Sequence, residues 1–317
     1  MDRRSLLACV CVSCASVASP LLAQDEVSLK PVFAVGQELP YSMAMVVNVN
    51  QRMGEQDVLE TTRAQGITNI KIEEVGSDGA LKGSLTFTKI FFEVVKGTEE
   101  ITYDWPLPLP LGPESPAHKK LGQVLSGAKV SFAVDAKGIV TVSGGFDEFA
   151  AEVGKIDPPD PRLLAFFVPD KFAMMLEPIF RVDDAGQFPR SIDKGWQTTQ
   201  RVDLPPVGAL EFTNELSLTN VTPELVRYIA RSTVSLLQPE TREEGVPTVV
   251  YNPDSSATTE AYFDRQKNLL RRRKITSSLR STWTLGETKI EQVQNSSITT
   301  VIMDEHLNMK LDPTQKF

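Results

Sequence analysis

Ile67-Thr68-Asn69-Ile70-Lys71-Ile72-Glu73-Glu74-Val75, the turn Gly76-Ser77-Asp78-Gly79 and the run from Leu81 to Val95 decide the fold class. Apolar residues recur on alternate positions of the first run, which is the period of a strand with one buried face. Asp-Gly between two such runs marks a hairpin, because glycine accepts the positive φ of a tight turn. The same pattern extends outward. Tyr41 to Asn50 alternates before the hairpin, and Phe132 to Val142 forms a second hairpin turning at Ala136-Lys137-Gly138. Trp105-Pro106-Leu107-Pro108-Leu109-Pro110-Leu111-Gly112-Pro113 cannot sit inside a sheet, since proline offers no N–H to the ladder, and is expected as an extended surface loop. From Gly195 to Val301 the β pattern resumes, with strands read at 196–204, 209–221, 226–237, 257–265, 269–281, 282–293 and 296–303.

Between these blocks the period changes. Phe146, Phe149, Ala150 and Val153 fall on one helical face, and three prolines between Ile156 and Pro161 stop that helix. A second helical run is expected from Arg162 to Phe167. A third opens at Pro169-Asp170, Asp170 being a suitable N-cap, with Phe172, Met175, Leu176 and Ile179 on one face. The expected class is α+β, mainly β: two antiparallel curved sheets joined by a helical middle. The boundaries are a signal peptide at 1–23, an N-terminal β block at 24–145, a helical connector at 146–190, a C-terminal β block at 191–304 and a flexible tail at 305–317.

The first 23 residues have the three parts of an export signal. Arg3 and Arg4 form the charged start, Leu6 to Val17 the apolar stretch, and Ser19 to Ala23 the cleavage region. The apolar run is shorter than the roughly 20 residues of a permanent span. Arg3-Arg4 serves either a twin-arginine or a Sec route. Cys9, Cys11 and Cys14 all lie inside this segment, so cleavage after Ala23 leaves no disulfide, thiol nucleophile or thiolate metal site. The expected location is the periplasm or envelope of a bacterium. Net charge is −8, and loss of Asp2, Arg3 and Arg4 makes it −9. That balance disfavours nonspecific binding to nucleic acid or anionic lipid.

The two β blocks can be superposed as an internal duplication. Gly36-Gln37 matches Gly195-Trp196, the strand ending at Val75 matches the one ending at Val221, and the turn after Asp135 matches the turn after Asp264. The layout resembles an uncharacterised group of exported bacterial proteins, a DUF6263-like domain of unknown function. That resemblance rests on Val35-Gly36-Gln37, the stretch Leu125 to Gly138, Phe188-Pro189 and Lys194-Gly195-Trp196. It implies no activity. The layout is also similar to envelope lipoprotein carriers, whose curved sheet wraps helices around an acyl chain, an analogy of fold alone.

Little in the chain has the spacing of a chemical site. His118 and His306 are far apart and without cysteine help. Ser126 and Ser143 precede glycines in turn or strand-end contexts, with no nucleophile elbow. Asp147, Glu148, Glu152, Asp157 and Asp160 could supply a carboxylate pair for hydrolysis, but Asp147 and Glu148 suit a helix N-terminus equally. Asp183-Asp184-Ala185-Gly186 lacks the alternating ligands of a calcium loop. Arg271-Arg272-Arg273-Lys274 alternates faces on a strand and reads as a solvated or edge strand guarded against aggregation. No metal and no cofactor are expected. The Phe- and Met-rich middle suits an adaptable apolar pocket as well as a plain core. Phe149, Phe166, Phe167, Phe172, Met175 and Phe180 are the candidate ligand-binding residues. The expected function is a non-enzymatic envelope protein that binds an apolar small molecule or lipid, or another envelope protein. The alternatives are a scaffold without a small ligand and a carboxylate-dependent hydrolase.

Overall fold

The computed structural model describes residues 26–105, 124, 127–155, 169–181, 190–192, 194–204, 206–238 and 245–303. Fifteen strands and two helices have both ends among the described residues and follow in order. They are β1 (Glu26–Val27), β2 (Glu38–Met53), β3 (Gln56–Val75), β4 (Leu81–Lys96), β5 (Glu99–Trp105), β6 (Lys129–Val134), β7 (Val140–Gly144), α1 (Phe146–Gly154), α2 (Pro169–Phe180), β8 (Arg190–Ser191), β9 (Trp196–Leu204), β10 (Gly208–Val221), β11 (Leu225–Leu237), β12 (Thr248–Tyr251), β13 (Ser256–Asp264), β14 (Leu269–Leu285) and β15 (Thr288–Ile302). The protein is mainly β, as expected, with two antiparallel sheets. β1 and β8 form a short ribbon, and the rest form one 13-stranded sheet in the order β7-β6-β4-β3-β2-β15-β14-β13-β11-β10-β9, with β5 on β4 and β12 on β14.

The two sequence blocks are the two halves of this large sheet. They join where β15 pairs with β2, from Ile290↔Met53 to Ile302↔Tyr41. The order repeats on either side of β15: adding seven to each strand of β7-β6-β4-β3-β2 gives β14-β13-β11-β10-β9. β1 and β8 also correspond by this offset, and they pair with each other. The fifth strand departs from the rule, since β5 pairs with β4 whereas β12 pairs with β14. The turns carry the repeat down to single atoms. Asp135 Oδ1 accepts from the backbone N–H of Lys137 and Ile139, and Asp264 Oδ1 from that of Gln266 and Lys267. Each turn closes through a left-handed residue, Gly138 at φ +83° and Asn268 at φ +50°, the two residue types that tolerate it best.

The sheet curls around α2. The helix lies along β7, with Phe180 and Arg181 against Gly138 at the β6–β7 turn and Phe172 against Phe146 just past β7. It also packs on β14. In the sheet β7 and β14 are six strands apart, about 29 Å if flat, yet they flank a single helix about 10 Å wide. The concave face is therefore the one that α2 covers. Shifts of register at Ile67/Thr68, Ile72/Glu74, Ser131/Phe132, Leu218/Asn220 and Tyr262/Phe263 add local bend and twist.

Two buried clusters fill the lower part of the trough. The larger gathers Tyr41, Ile70, Leu85, Phe132, Phe172 and Phe180, among others. The smaller is built on Leu216, Tyr228, Phe263 and Leu270, over which Val27 and Leu29 of the N-terminal segment are laid. Tyr41 Oη, whose pKa burial pushes well above its ordinary value, donates to the Leu270 carbonyl at 3.4 Å and ties one cluster to the other.

The strand boundaries differ from the sequence reading in the last hairpin. Breaks were expected after Ser281 and at Asn295, but β14 and β15 run on to a turn at Gly286-Glu287. Polar residues do not end these strands, because ladders on both sides satisfy the backbone and leave the side chains free to be polar. The expected helix at 162–167, the proline loop beyond Trp105 and the tail lie outside the described residues.

On the convex face Glu73 accepts hydrogen bonds from Lys129 Nζ at 2.9 Å and Ser84 Oγ at 2.8 Å, linking β3, β4 and β6. The Lys129 hydrogen bond, then that of Ser84, holds its carboxyl below the ordinary value of 4.5. A carboxylate depressed on folding stabilises above its unfolded pKa, and that contribution is lost as pH falls through the folded value. Glu73→Gln should accordingly lower stability at pH 7 and flatten the decline below pH 4.5. The effect should be small, because the pair is solvent-screened, and urea titrations of both proteins at pH 7 and below pH 4.5 measure it.

Candidate functional site

Strand alternation and the pairing register define the concave face residue by residue. β2 contributes Leu39, Tyr41, Met43, Met45, Val47 and Val49; β15 contributes Ile302, Thr300, Ile298, Ser296 and Gln294; β14 contributes Arg273, Ile275, Ser277 and Leu279. Below the level of Met43 this face is core. Above it Met45, Val47, Ile275, Leu279 and Ile298 are half-buried. The helix contacts explain the difference: α1 packs on β6 and β7, and α2 on β7 and β14, so neither packs on the middle of β2 or β15.

A row of small, mostly polar side chains crosses the same face in register: Thr198, Asn214, Ser232, Ala257, Ser277 and Ser296. They bond to one another. Asn214 Nδ2 donates to Thr198 Oγ1 at 3.3 Å, Ser232 Oγ donates to Asn214 Oδ1 at 2.6 Å, and the Ser277 and Ser296 hydroxyls meet at 2.6 Å. Their low volume makes a furrow between the larger residues above and below. Their mutual bonds lower the cost of covering them with an apolar occupant.

Formal charge on this face, among the described strand residues, stands at two places. Glu60, Lys96 and Glu99 lie at the far corner, where Lys96 pairs with Glu60 at 3.8 Å. The other is Arg273, at the centre. Its cross-strand neighbours are the buried Ala261 and Thr300. Arg273 is half-buried, its Nε has no hydrogen-bond partner, and it faces no carboxylate across the strands. Of the basic run, Arg272 and Lys274 point to the convex face and Arg271 is the extra residue of the bulge opposite Tyr262/Phe263. β14 is an interior strand, paired on both sides. This corrects the expectation of an edge strand, while Arg271 and Arg272 are exposed, as a solvated strand requires. A second orphan guanidine nitrogen, Arg190 Nε, is on β8, where the guanidinium stacks 5.0 Å from the Trp196 ring.

The residues expected to hold a ligand are placed as follows. Phe172 and Phe180 are spent in the core: Phe172 meets the rings of Phe87 at 5.7 Å and Phe146 at 5.4 Å, and Phe180 those of Phe33 at 5.1 Å and Phe132 at 5.3 Å. Met175 is half-buried on the same helix, and Phe149 lies on α1. Phe166 and Phe167 lie outside the described residues. Among the described residues of the concave face, accessible apolar surface is thus on the sheet, in residues that the sequence assigns to strands.

No reactive constellation appears among the described residues, and no group of three His, Cys, Asp or Glu side chains is placed to hold a metal ion. His118, His306, Ser126, Asp157, Asp160 and the Asp183–Gly186 segment lie outside them. Asp147, Glu148 and Glu152 are on α1, the first two in its first turn. The densest polar cluster is convex. Arg227 bonds Glu260 at 2.6 and 2.7 Å, and Tyr262 Oη donates to the same carboxylate at 2.8 Å. The Tyr262 hydrogen bond, followed by that of Arg227, holds Glu260 below the usual carboxylate range, and Glu260 in turn raises the Tyr262 phenol. These groups satisfy one another across two strands, β11 and β13, which is the pattern of a surface lock.

No protein-family model and no curated protein matches the chain. Solved structures with some likeness include lipovitellin, with its lipid–protein interactions, at 11% identity and a TM-score of 0.42. That alignment takes in 86% of this chain and 26% of lipovitellin, so the chain spans about a quarter of its length. An outer membrane channel from Pseudomonas putida F1 aligns over 86% of this chain and 97% of its own, at 6% identity and a TM-score of 0.25. A DUF1329 family protein from Desulfovibrio piger aligns over 83% and 85%, at 9% identity and a TM-score of 0.12. TM-scores below 0.5 leave the function to be read from the chain's own side chains. No helix among the described residues is long and apolar enough to cross a membrane.

Proposed function

We propose that this chain is a non-enzymatic protein of the bacterial envelope, exported by its first 23 residues, that shelters an apolar ligand on the concave face of its large sheet. The observation that carries this reading is the half-buried strip of Met45, Val47, Ile275, Leu279 and Ile298 above a filled core. Covering such a strip removes apolar area from water at about 25 cal/mol per Å². The self-bonded furrow beside it adds a shallow, dry-tolerant bed. At the sheet end Met53, Val58 and Leu285 are exposed on the same face at neighbouring hairpin tips, and Leu59 is exposed there on the opposite face.

Native mass spectrometry of the purified protein, before and after solvent extraction, tests this. We expect an extractable adduct, and uptake of a fluorescent apolar probe by the extracted protein. Absence of both would sink the proposal. The hairpin-tip residues favour one second reading, a protein partner docked on that rim. In that case Leu59→Asp with Leu285→Asp should abolish partner capture and leave probe uptake unchanged.

A further inference from the structure

Arg273 gives the concave face a specificity that apolar area alone does not. We infer that the ligand is a long-chain fatty acid, held by its carboxylate on the Arg273 guanidinium, with its chain running over Ile275, Ile298, Met45 and Val47. The inference rests on the sheltering reading above.

A half-buried guanidinium whose Nε lacks a partner, set between Ala261 and Thr300 with no carboxylate facing it, is an incomplete ion pair. Burying it further under an apolar ligand would be costly unless that ligand brought the anion. A guanidinium presents parallel N–H groups that match the two oxygens of a carboxylate. One cation at this place matches one negative charge. The other cation on the face, Lys96, already pairs with Glu60. It also lies four strands and six residues away by register, about 20 Å along the strands alone. The convex neighbours are accounted for as well, since Glu260 is engaged by Arg227 and Tyr262. From Arg273 a file of apolar side chains, Ile275, Ile298, Met45 and Val47, leads toward Val49, again six residues along or about 20 Å, the extended length of a long acyl chain, with Ser277 and Ser296 beside Val47 and Gln294 and Glu60 beside Val49 at its end. Thr300 is the cross-strand neighbour of Arg273 at the carboxylate end.

The test compares hexadecanoic acid with hexadecanol on the extracted full-length protein, in the wild type, Arg273→Met and Arg273→Lys. The wild type should bind the acid at least about tenfold tighter than the alcohol, the worth of a charge-assisted hydrogen bond. Arg273→Met should remove that preference and keep alcohol affinity, which also reports that it folds. Arg273→Lys should retain part of the preference. Equal binding of acid and alcohol by the wild type, or an unchanged preference in Arg273→Met, overturns the carboxylate assignment and leaves sheltering intact. Failure of the wild type to bind either compound overturns both. The wild-type comparison stands even if a variant does not fold.

Discussion

Phe132→Ala is expected to lower stability by about 3–5 kcal/mol, the cost of emptying a fully buried aromatic site that cannot collapse. Phe132 is 0% exposed on β6. Its ring lies over Gly83 of β4, where a Cβ would come within 2.7 Å of the ring, and packs 5.3 Å from the ring of Phe180. The glycine is what admits the ring, so the space is bounded by backbone on one side and by α2 on the other. Neither wall can move in without breaking a ladder or a helix contact. Gly83→Val should fail for the converse reason, overfilling the same space at about 1–3 kcal/mol. Val35→Ala, at a residue 65% exposed, should change stability by no more than about 0.5 kcal/mol. Urea unfolding read by tryptophan fluorescence gives all three values, with the midpoint moving and the slope constant. A Phe132→Ala midpoint equal to that of Val35→Ala would show that α2 does not seal this end of the trough.

Local rules made much of the fold legible, and long-range pairing did not. The hairpins at Asp78-Gly79 and Lys137-Gly138 were readable because their signal is a few residues of turn chemistry. The duplication was readable because an aspartate opens the turn in both halves, Asp135 and Asp264 each accepting from the backbone N–H two residues on. β5 escaped because Glu99 and Glu100 open it and prolines follow, and propensity ranks both low. The β2–β15 junction was invisible: its partners are about 250 positions apart in sequence, and no local pattern specifies which edge meets which. Phe172 and Phe180 were legible as apolar but not as core, since periodicity marks a buried face without saying what covers it. Arg273 was lost in a run of four basic residues, where alternation alone gives two faces and no sign. A signal was present. Ile275 and Leu279 share its parity, so the arginine had to share their face, but only the bulge at Arg271 removes the competing register.

Ser297→Pro should destabilise the whole protein by roughly 3 kcal/mol, through backbone alone. Ser297 is on β15, opposite Val46 on one side and Thr276 on the other, so its N–H belongs to a ladder with no edge to retreat to. Its side chain faces away from the core, and Ser297→Ala should therefore stay within about 0.5 kcal/mol. The informative part is where the loss is felt. If β15 were a loose clasp between two self-sufficient halves, the proline would split unfolding into two steps and leave each half near its own stability. The structure argues otherwise. Tyr41 of the first half bonds the Leu270 carbonyl of the second, and Leu269 is buried in the same cluster as Phe132 and Phe180. α2 likewise packs on strands from both halves. Amide hydrogen exchange should then show protection falling together in β3 and β13, on opposite sides of the lesion. Protection lost in one of these strands and kept in the other would mean that the halves fold as separate units. The concave face, which needs both to be curved around one helix, would then have no fixed shape to offer a ligand.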